Sequence, residues 1–419
     1  MKEINASIIT IGDELLIGQT IDTNSAFIAT ELNKIGIWVK RRLSVGDVKE
    51  EILNSLQEQS RDCQVIIITG GLGPTADDIT KPALCEYFGA KLVVNEQALQ
   101  NVKDIFTRLN RPMIERNLSQ AEVPDNCVVL HNKRGTAPGM WFEKNGVVYI
   151  SLPGVPFEMQ GFVEDDVIPK LKQQFTLPAI VHRTLFTAGQ GESFIAERLI
   201  SFERLLPPHI KLAYLPAYGM VKLRLTGKGD NEQALKKEVD GSTDSLKELV
   251  KDWLVADEDI SLQQAVARLL HQNGKTLATA ESCTGGYIAH LITAMAGSSS
   301  FYKGGVVSYA NEAKENILDV PQNIIVTHGA VSEETVMAMA QGALKSLNTD
   351  YAIATSGIMG PTGGTEQKPV GTAWIAAGSR DKIKTVKHFF RFDRKRNIEL
   401  TANYALNMLR MFILEEEKS

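Results

Sequence analysis

VIIITGGLGPTADD, residues 65–78, couples an unbroken apolar, β-branched run to a cluster of glycines. Such a run reads as a strand buried on both faces, the kind found in parallel sheets. The glycines read as a tight exit from that strand, with a helix predicted over 76–88. The same rhythm continues outward in both directions. SIITIG (7–12) predicts a strand, NSAFIATELNKIG (24–36) a helix closed by Gly36, WVKRRLSVG (38–46) a strand and VKEEILNSLQEQS (48–60) a helix. Alternation of this kind builds a doubly wound, mainly parallel sheet with helices on both faces, so the fold class is α/β. GVVYISLPG (146–154) is expected to rejoin the same sheet.

From about residue 170 the texture changes. AIVHRTLFT (179–187), IKLAYLP (210–216), MVKLRLTGKG (220–229) and a long polar helix over 231–254 predict a small α+β module, with a hairpin through PAYG. VADEDIS (255–261) is short, acidic and polar, as linkers are. Beyond it a second strand–helix alternation begins. The expected division is therefore 1–170, 171–255 and 256–419, two α/β domains joined by the small module.

Bulk properties narrow the function classes. A chain of 419 residues exceeds one ordinary core. Its net charge of −5 argues against a nucleic-acid partner, which needs a concentrated basic face. Four cysteines without CxxC spacing indicate neither a zinc site nor a disulfide framework, and fit a reducing cytoplasm. No apolar run reaches the roughly 18 residues of a membrane span, and MKEINASIITIGDE turns acidic before a signal-peptide core can form. The expectation is a soluble cytoplasmic protein without membrane partners.

The glycine-rich exit has the chemistry of an anion cradle. Gly70, Gly71 and Gly73, with Thr75 and the following helix start, offer backbone amides to a phosphate. Asp77 and Asp78 are expected in the first helical turn, where they either complement the helix dipole or hold a hard divalent cation. A plain turn with dipole-favouring acids is the alternative. No GK[ST] follows and no GxGxxG is present, so this is neither a Walker A loop nor a dinucleotide fingerprint. Two more strand exits are expected at the same crevice. IGDELLIGQTIDTNS (11–25) supplies Asp13, Asp22 and Asn24, and SLPGVPFEM (151–159) supplies Gly154 and Glu158. Helix capping and turn chemistry account equally well for Asp13, Asp22 and Asn24.

AESCTGG (280–286) places Ser282 and Cys283 together at a strand-to-helix turn. Amides of Cys283, Thr284, Gly285 and Gly286 could form an oxyanion hole. His271, His290, His328 and His388 lack a triad-like context. VVSYANEAKENIL (306–318) offers Lys314 as a base, Tyr309 as a relay and Asn311 at the helix start. A desolvated lysine can be neutral and serve as base to a serine; the alternative is an ordinary solvated lysine. TSGIMGPTGGTEQKPVGTAW (355–374) brings Thr355, Ser356 and Gly357 at a second small-residue strand exit. FRFDRKRN (390–397) brings Arg391, Arg394 and Arg396, either a phosphate clamp or a solvated basic turn.

TGGLGPTxDD with LPGVPxEM resembles the molybdopterin-binding-type domain of molybdenum-cofactor biosynthesis proteins. With GDELLxGxxxDTN and RGTAPGMWF (134–142) added, the first half is similar to the N-terminal half of the CinA-type, competence/damage-inducible family. The resemblance implies a metal-dependent ADP-ribose pyrophosphatase giving AMP and ribose 5-phosphate, with Mg, Co or Mn. Asp78 and Asp77 are its first-choice ligands, Asp13 and Glu158 the second. AESCTGG, SYANEAK, HGAVS, TSGIxGPxGG and KPVGTxW together resemble the C-terminal half of the same family, the nicotinamide-nucleotide amidohydrolases. That implies hydrolysis of nicotinamide mononucleotide to nicotinate mononucleotide and ammonia, without a cofactor. Ser282 would be the nucleophile, Lys314 the base, Tyr309 its helper, and Thr355 and Arg394 substrate contacts. One departure is Phe392 where the family often has glycine two residues before the arginine. The middle module looks KH-like in that family, and a homodimer with small-molecule nucleotide substrates is expected. A non-catalytic nucleotide- or pterin-binding first half, or a competence-related binding protein throughout, are the alternatives.

Overall fold

Isoleucines alternate between two cores in the first half. The computed structural model describes residues 4–75, 78–217 and 219–418, the Glu115 side chain apart. Its six-stranded sheet runs Trp38–Val45, Asn5–Ile11, Val65–Thr69, Val147–Leu152, Gly139–Lys144, Val128–Leu130. The first four strands are parallel and the last two antiparallel. Ile8, Ile67 and Ile150 pack on one face with Ile28 and Leu32 of helix Thr23–Lys34. Ile9, Ile66 and Ile68 pack on the other with Ile52, Leu56, Ala83 and Leu84 from helices Lys49–Gln59 and Thr80–Phe88. A strand's period of two sends neighbouring isoleucines to opposite faces, and burial of each contributes about 1.5–3 kcal/mol.

After the first strand the chain crosses to Trp38–Val45 on one side, then to Val65–Thr69 on the other. Strand order reverses there, opening a crevice at the carboxyl ends of Asn5–Ile11 and Val65–Thr69. One expectation is corrected at this point. The helix begins at Thr80, not at residue 76, so Asp78 precedes the helix. Asp77 lies outside the described residues.

The small module forms a four-stranded sheet ordered Ile210–Ala217, Met220–Gly229, Ala179–Ala188, Leu254–Ala256. Its helices are Glu192–Leu205 and Glu232–Val250. The two strands expected to form a hairpin are neighbours.

The last sheet is five-stranded: Tyr302–Val307, Leu277–Glu281, Tyr351–Gly357, Thr372–Ser379, Ile383–Phe389. The first three are parallel and the rest antiparallel. Helices Leu262–Gln272 and Arg394–Glu416 cover one face through Val266, Leu270, Leu406 and Leu409, and helix Glu333–Leu347 covers the other through Val336, Met339 and Ala340. Here too the order reverses, between Leu277–Glu281 and Tyr351–Gly357.

By internal packing the chain forms two compact units, residues up to 181 with 227–237, and residues 182–226 with 238 onward. No helix among the described residues is long and apolar enough to cross a membrane.

Candidate active site

Ser282 leaves strand Leu277–Glu281 in the turn that leads to helix Tyr287–Thr293. Its N–H donates to Thr355 O on the adjacent parallel strand at 2.9 Å, and the hydroxyls of Thr284 and Thr355 lie 2.7 Å apart. The carboxylate of Glu281 accepts from the amides of Gly286 and Ile288, each at 3.0 Å, and of Ala289 at 2.8 Å. Opening amides of a helix have no partners within it, so an acceptor of this kind satisfies them.

Lys314, on helix Asn311–Leu318, reaches the serine. Its Nζ lies 3.1 Å from Ser282 Oγ, 2.7 Å from Ser308 O and 3.3 Å from Tyr309 O. Lys314 is 1% exposed and Ser282 8%, so the solvated-lysine alternative fails. Burial holds the amine below the ordinary lysine range. The two carbonyls can only accept, so each takes an N–H whether the amine is protonated or not. The third direction carries an N–H in the ammonium and a lone pair in the neutral amine. A neutral Lys314 therefore aims its lone pair at the Ser282 hydroxyl.

Cys283 is a poor competitor. It is buried, and burial pushes its thiol up to about 12, whereas nucleophilic attack needs the thiolate. The histidines have other company. His290 stacks near Tyr287, His328 sits 3.2 Å from Glu334, His388 packs on Phe390 and Tyr404, and His271 lies in the last turn of its helix.

Several expected roles shift. The Gly285 amide donates to Ser282 O at 3.2 Å and that of Gly286 to Glu281. Among the described residues the amides of Cys283 and Thr284 have no acceptor from another residue, so an oxyanion hole in the 282–286 turn would draw on those two. Thr355 and Ser356 are buried; the first braces Thr284 and the second donates to Ala330 O at 2.6 Å. Gly357 is scaffold as well, since a Cβ there would lie 2.6 Å from Thr372 O. Tyr309 meets Lys314 through its carbonyl, while its ring is 64% exposed and its hydroxyl accepts from Arg394 Nη2 at 3.1 Å. Arg394 Nη1 donates to Gly360 O at 2.9 Å. Asn311 is exposed at its helix start. A cleft of about 460 Å³ bordered by Lys275, Asp350, Arg380 and Glu416 opens at the opposite end of this sheet from Ser282.

In the first half, Asn24 joins the strand exits. Its Nδ2 donates to Gly154 O at 2.7 Å and to Thr69 Oγ1 at 3.3 Å, and Thr69 Oγ1 donates to Pro153 O at 2.8 Å. Among the described residues, the Asn24 Oδ1 is buried without a partner. Gly70 sits at φ 112°, where a Cβ would lie 2.2 Å from Ile11 O. Asp22 is the helix N-cap, accepting from Ser25 N at 2.9 Å, so the capping alternative describes it.

Of the expected metal ligands, Asp78, Asp13 and Glu158 have separate partners, and Asp77 lies outside the described residues. Asp78 turns back to accept from the amides of Gly73 and Thr75 at 2.8 Å and the Thr75 hydroxyl at 2.5 Å. Asp78 N–H also donates to Thr75 O at 3.1 Å, and the helix begins only at Thr80. The Asp13 carboxylate accepts from Asp47 N–H at 3.2 Å, and the Asp47 carboxylate accepts from Asp13 N–H at 3.1 Å. Glu158 accepts from Asn132 Nδ2 at 2.7 Å, and burial raises its carboxyl above the usual range. Among the described residues no group of three or more His, Cys, Asp or Glu is placed to hold a metal ion. Among the described residues, Asp78, Asp13 and Glu158 do not by themselves come together as a donor set for a divalent ion.

Three family models match successive parts of the chain. Residues 7–173 match the model of the probable molybdopterin binding domain, 182–256 the damage-inducible protein CinA KH domain and 259–413 the CinA C-terminal domain. A CinA-like protein of Cytophaga hutchinsonii is 49% identical over 98% of this chain and 99% of its own. The chain belongs to the CinA family. A CinA-like protein of Flavobacterium psychrophilum is 46% identical over 98% of this chain and 99% of its own. The crystal structure of a CinA superfamily protein from Klebsiella pneumoniae is 39% identical, covering 37% of this chain and 96% of that one with a TM-score of 0.36.

Within this CinA-family site two contributors went unread in the sequence. Glu281 could have been found as the one acid between a buried strand and a helix whose first amides need an acceptor. Ser308 acts through its carbonyl, which no side-chain pattern reports.

Proposed function

We propose that the C-terminal half is a Ser–Lys amidohydrolase that converts nicotinamide mononucleotide to nicotinate mononucleotide and ammonia. The observation that carries the reading is the buried 3.1 Å contact between Lys314 Nζ and Ser282 Oγ. Neutral Lys314 takes the hydroxyl proton as Ser282 Oγ bonds to the carboxamide carbon. The oxygen of the tetrahedral intermediate gathers negative charge beside the amides of Cys283 and Thr284. The C–N bond breaks, the Lys314 ammonium returns the proton to nitrogen, and ammonia leaves. Water then adds to the nicotinoyl ester with Lys314 again as base, releasing the acid and Ser282. Arg394 at the rim, beside Tyr309, has the geometry to meet the phosphate.

The test is ammonia release from nicotinamide mononucleotide by wild type beside Ser282→Ala and Cys283→Ala. The serine variant should be inactive and the cysteine variant active; the reverse pattern overturns the reading.

A second reading concerns the first half. The strand-order reversal with Gly70, Gly154 and the unpartnered Asn24 Oδ1 favours a nucleotide ligand with phosphate near the glycines and a hydrogen-bond donor facing Asn24. ADP-ribose is the candidate. Asp78, Asp13 and Glu158 already hold other groups, so this reading is one of binding. AMP release from ADP-ribose, with and without Mg, Mn or Co, separates hydrolysis from binding alone.

A further inference from the structure

Glu281 is 1% exposed, and both its side chain and its main chain are committed. The carboxylate holds the amides of Gly286, Ile288 and Ala289. Its carbonyl accepts from Ser308 N at 2.9 Å, and the carbonyl of Ser308 in turn holds Lys314 Nζ. One residue thus touches both the turn that carries the nucleophile and the peptide that orients the base.

The tally of amides in the turn shows what the carboxylate does. Ser282 N–H goes to Thr355 O, Gly285 to Ser282 O, Tyr287 to Thr284 O, and Gly286, Ile288 and Ala289 to Glu281. Among the described residues, those of Cys283 and Thr284 are left over, next to Ser282. Gly285 and Gly286 hold φ of 60° and 92°, a left-handed pair that glycine adopts readily but from which it is also free to depart, so bonds from outside the pair restrict it. The helix that follows spans seven residues, too short to fix the turn by its own hydrogen bonding.

Resting on the Ser–Lys reading above, we propose that Glu281 is a positioning residue. Its carboxylate locks the 282–286 turn so that the Cys283 and Thr284 amides converge on the oxygen of the reacting carbonyl. A plain helix cap would add stability without changing the rate of the folded enzyme.

The two roles separate in a reaction that does not depend on the natural substrate. A fluorophosphonate probe labels an activated serine: the Ser282 Oγ–P bond forms, the P–F bond breaks, fluoride leaves and Lys314 takes the hydroxyl proton. Intact mass gives both the rate constant and the final labelled fraction of the full-length chain. For Glu281→Gln, whose amide nitrogen would face one of the three N–H groups, the rate constant should fall at least tenfold. The labelled fraction should stay complete, and the pH midpoint should match wild type because the contacts of Lys314 are kept. An unchanged rate constant with a reduced labelled fraction would assign Glu281 to the fold alone and overturn the proposal. Should Glu281→Gln not fold, Glu281→Asp keeps the carboxylate one methylene short; an intermediate rate supports positioning, and a wild-type rate refutes it. A wild type that is never labelled sinks the Ser–Lys reading and the proposal with it. A labelled wild type that releases no ammonia from nicotinamide mononucleotide, with Glu281→Gln still slowed, removes only the substrate and supports the role of Glu281.

Discussion

Replacing Lys314 by methionine is the sharpest perturbation of the site. Methionine keeps an unbranched stem in a position that is 1% exposed, and removes the amine alone. A positioned general base contributes about 10²–10⁴ in rate, so kcat/KM for amide hydrolysis should fall by that factor, about 3–5.5 kcal/mol of transition-state stabilisation. Stability should move differently. Burial lowers the pKa of Lys314 in the folded state, so between that value and the ordinary lysine value of 10.5 the unfolded chain binds the proton more readily. Stability in that window rises with pH, and below it the folded state carries the full cost of a buried ammonium. Lys314→Met removes that cost while leaving Ser308 O and Tyr309 O without a donor, so the net change near neutral pH should be small. The assay pairs ammonia release across pH with urea denaturation at the same pH values. Wild-type activity should climb with pH as the amine loses its proton and then level off, and the variant should lose that limb. A variant within tenfold of wild type, or one that keeps the same pH limb, refutes Lys314 as the base.

Other substitutions probe the parts around it. Tyr309→Phe removes the bond to Arg394 but keeps the carbonyl on Lys314, so kcat/KM should fall less than about tenfold, with the pH limb unmoved. Iodoacetamide at pH 7.5 should leave Cys283 unmodified in the folded chain, since its thiol lies near 12; rapid alkylation seen by mass spectrometry would contradict its burial. Gly70→Ala forces a Cβ to within 2.2 Å of Ile11 O at φ 112°. It should cost about 1–3 kcal/mol in urea denaturation from backbone strain alone. Asn24→Ala should weaken ADP-ribose binding by calorimetry, because it removes both the brace on Gly154 and the unpartnered acceptor.

The architecture was legible because burial writes itself into composition. Val65–Thr69 is buried at every position and apolar from Val65 to Ile68 since both faces are covered, and the strand–helix alternation of both halves follows from the same rule. Side-chain contacts that cross the chain left weaker marks. Nothing local told that Asp78 folds back on Gly73 and Thr75, and the helix starts later than its apolar spacing suggests. The sequence offers Lys314 as a base beside the alternative of a solvated lysine, and the fold decides by burying it 3.1 Å from Ser282 Oγ. The resemblance makes Thr355 a substrate contact, yet the parallel register aligns it with Glu281 and turns its hydroxyl to Thr284. Glu281 was passed over because an acid before a serine has many uses, and only the fold shows the three amides it serves.

The two carbonyls that hold Lys314 are main-chain groups, and that has a consequence for variation at this site. Point mutation cannot delete a peptide oxygen. Drift in the side chains at 308 and 309 leaves the acceptor pair in place as long as the strand and the following helix keep their geometry. The proton acceptor is thus buffered against substitution at its own contacts and vulnerable instead to anything that shifts backbone, such as an inserted residue between Val307 and Asn311. Tolerance to replacement combined with intolerance to insertion over those few positions is the mutational signature such a base should leave.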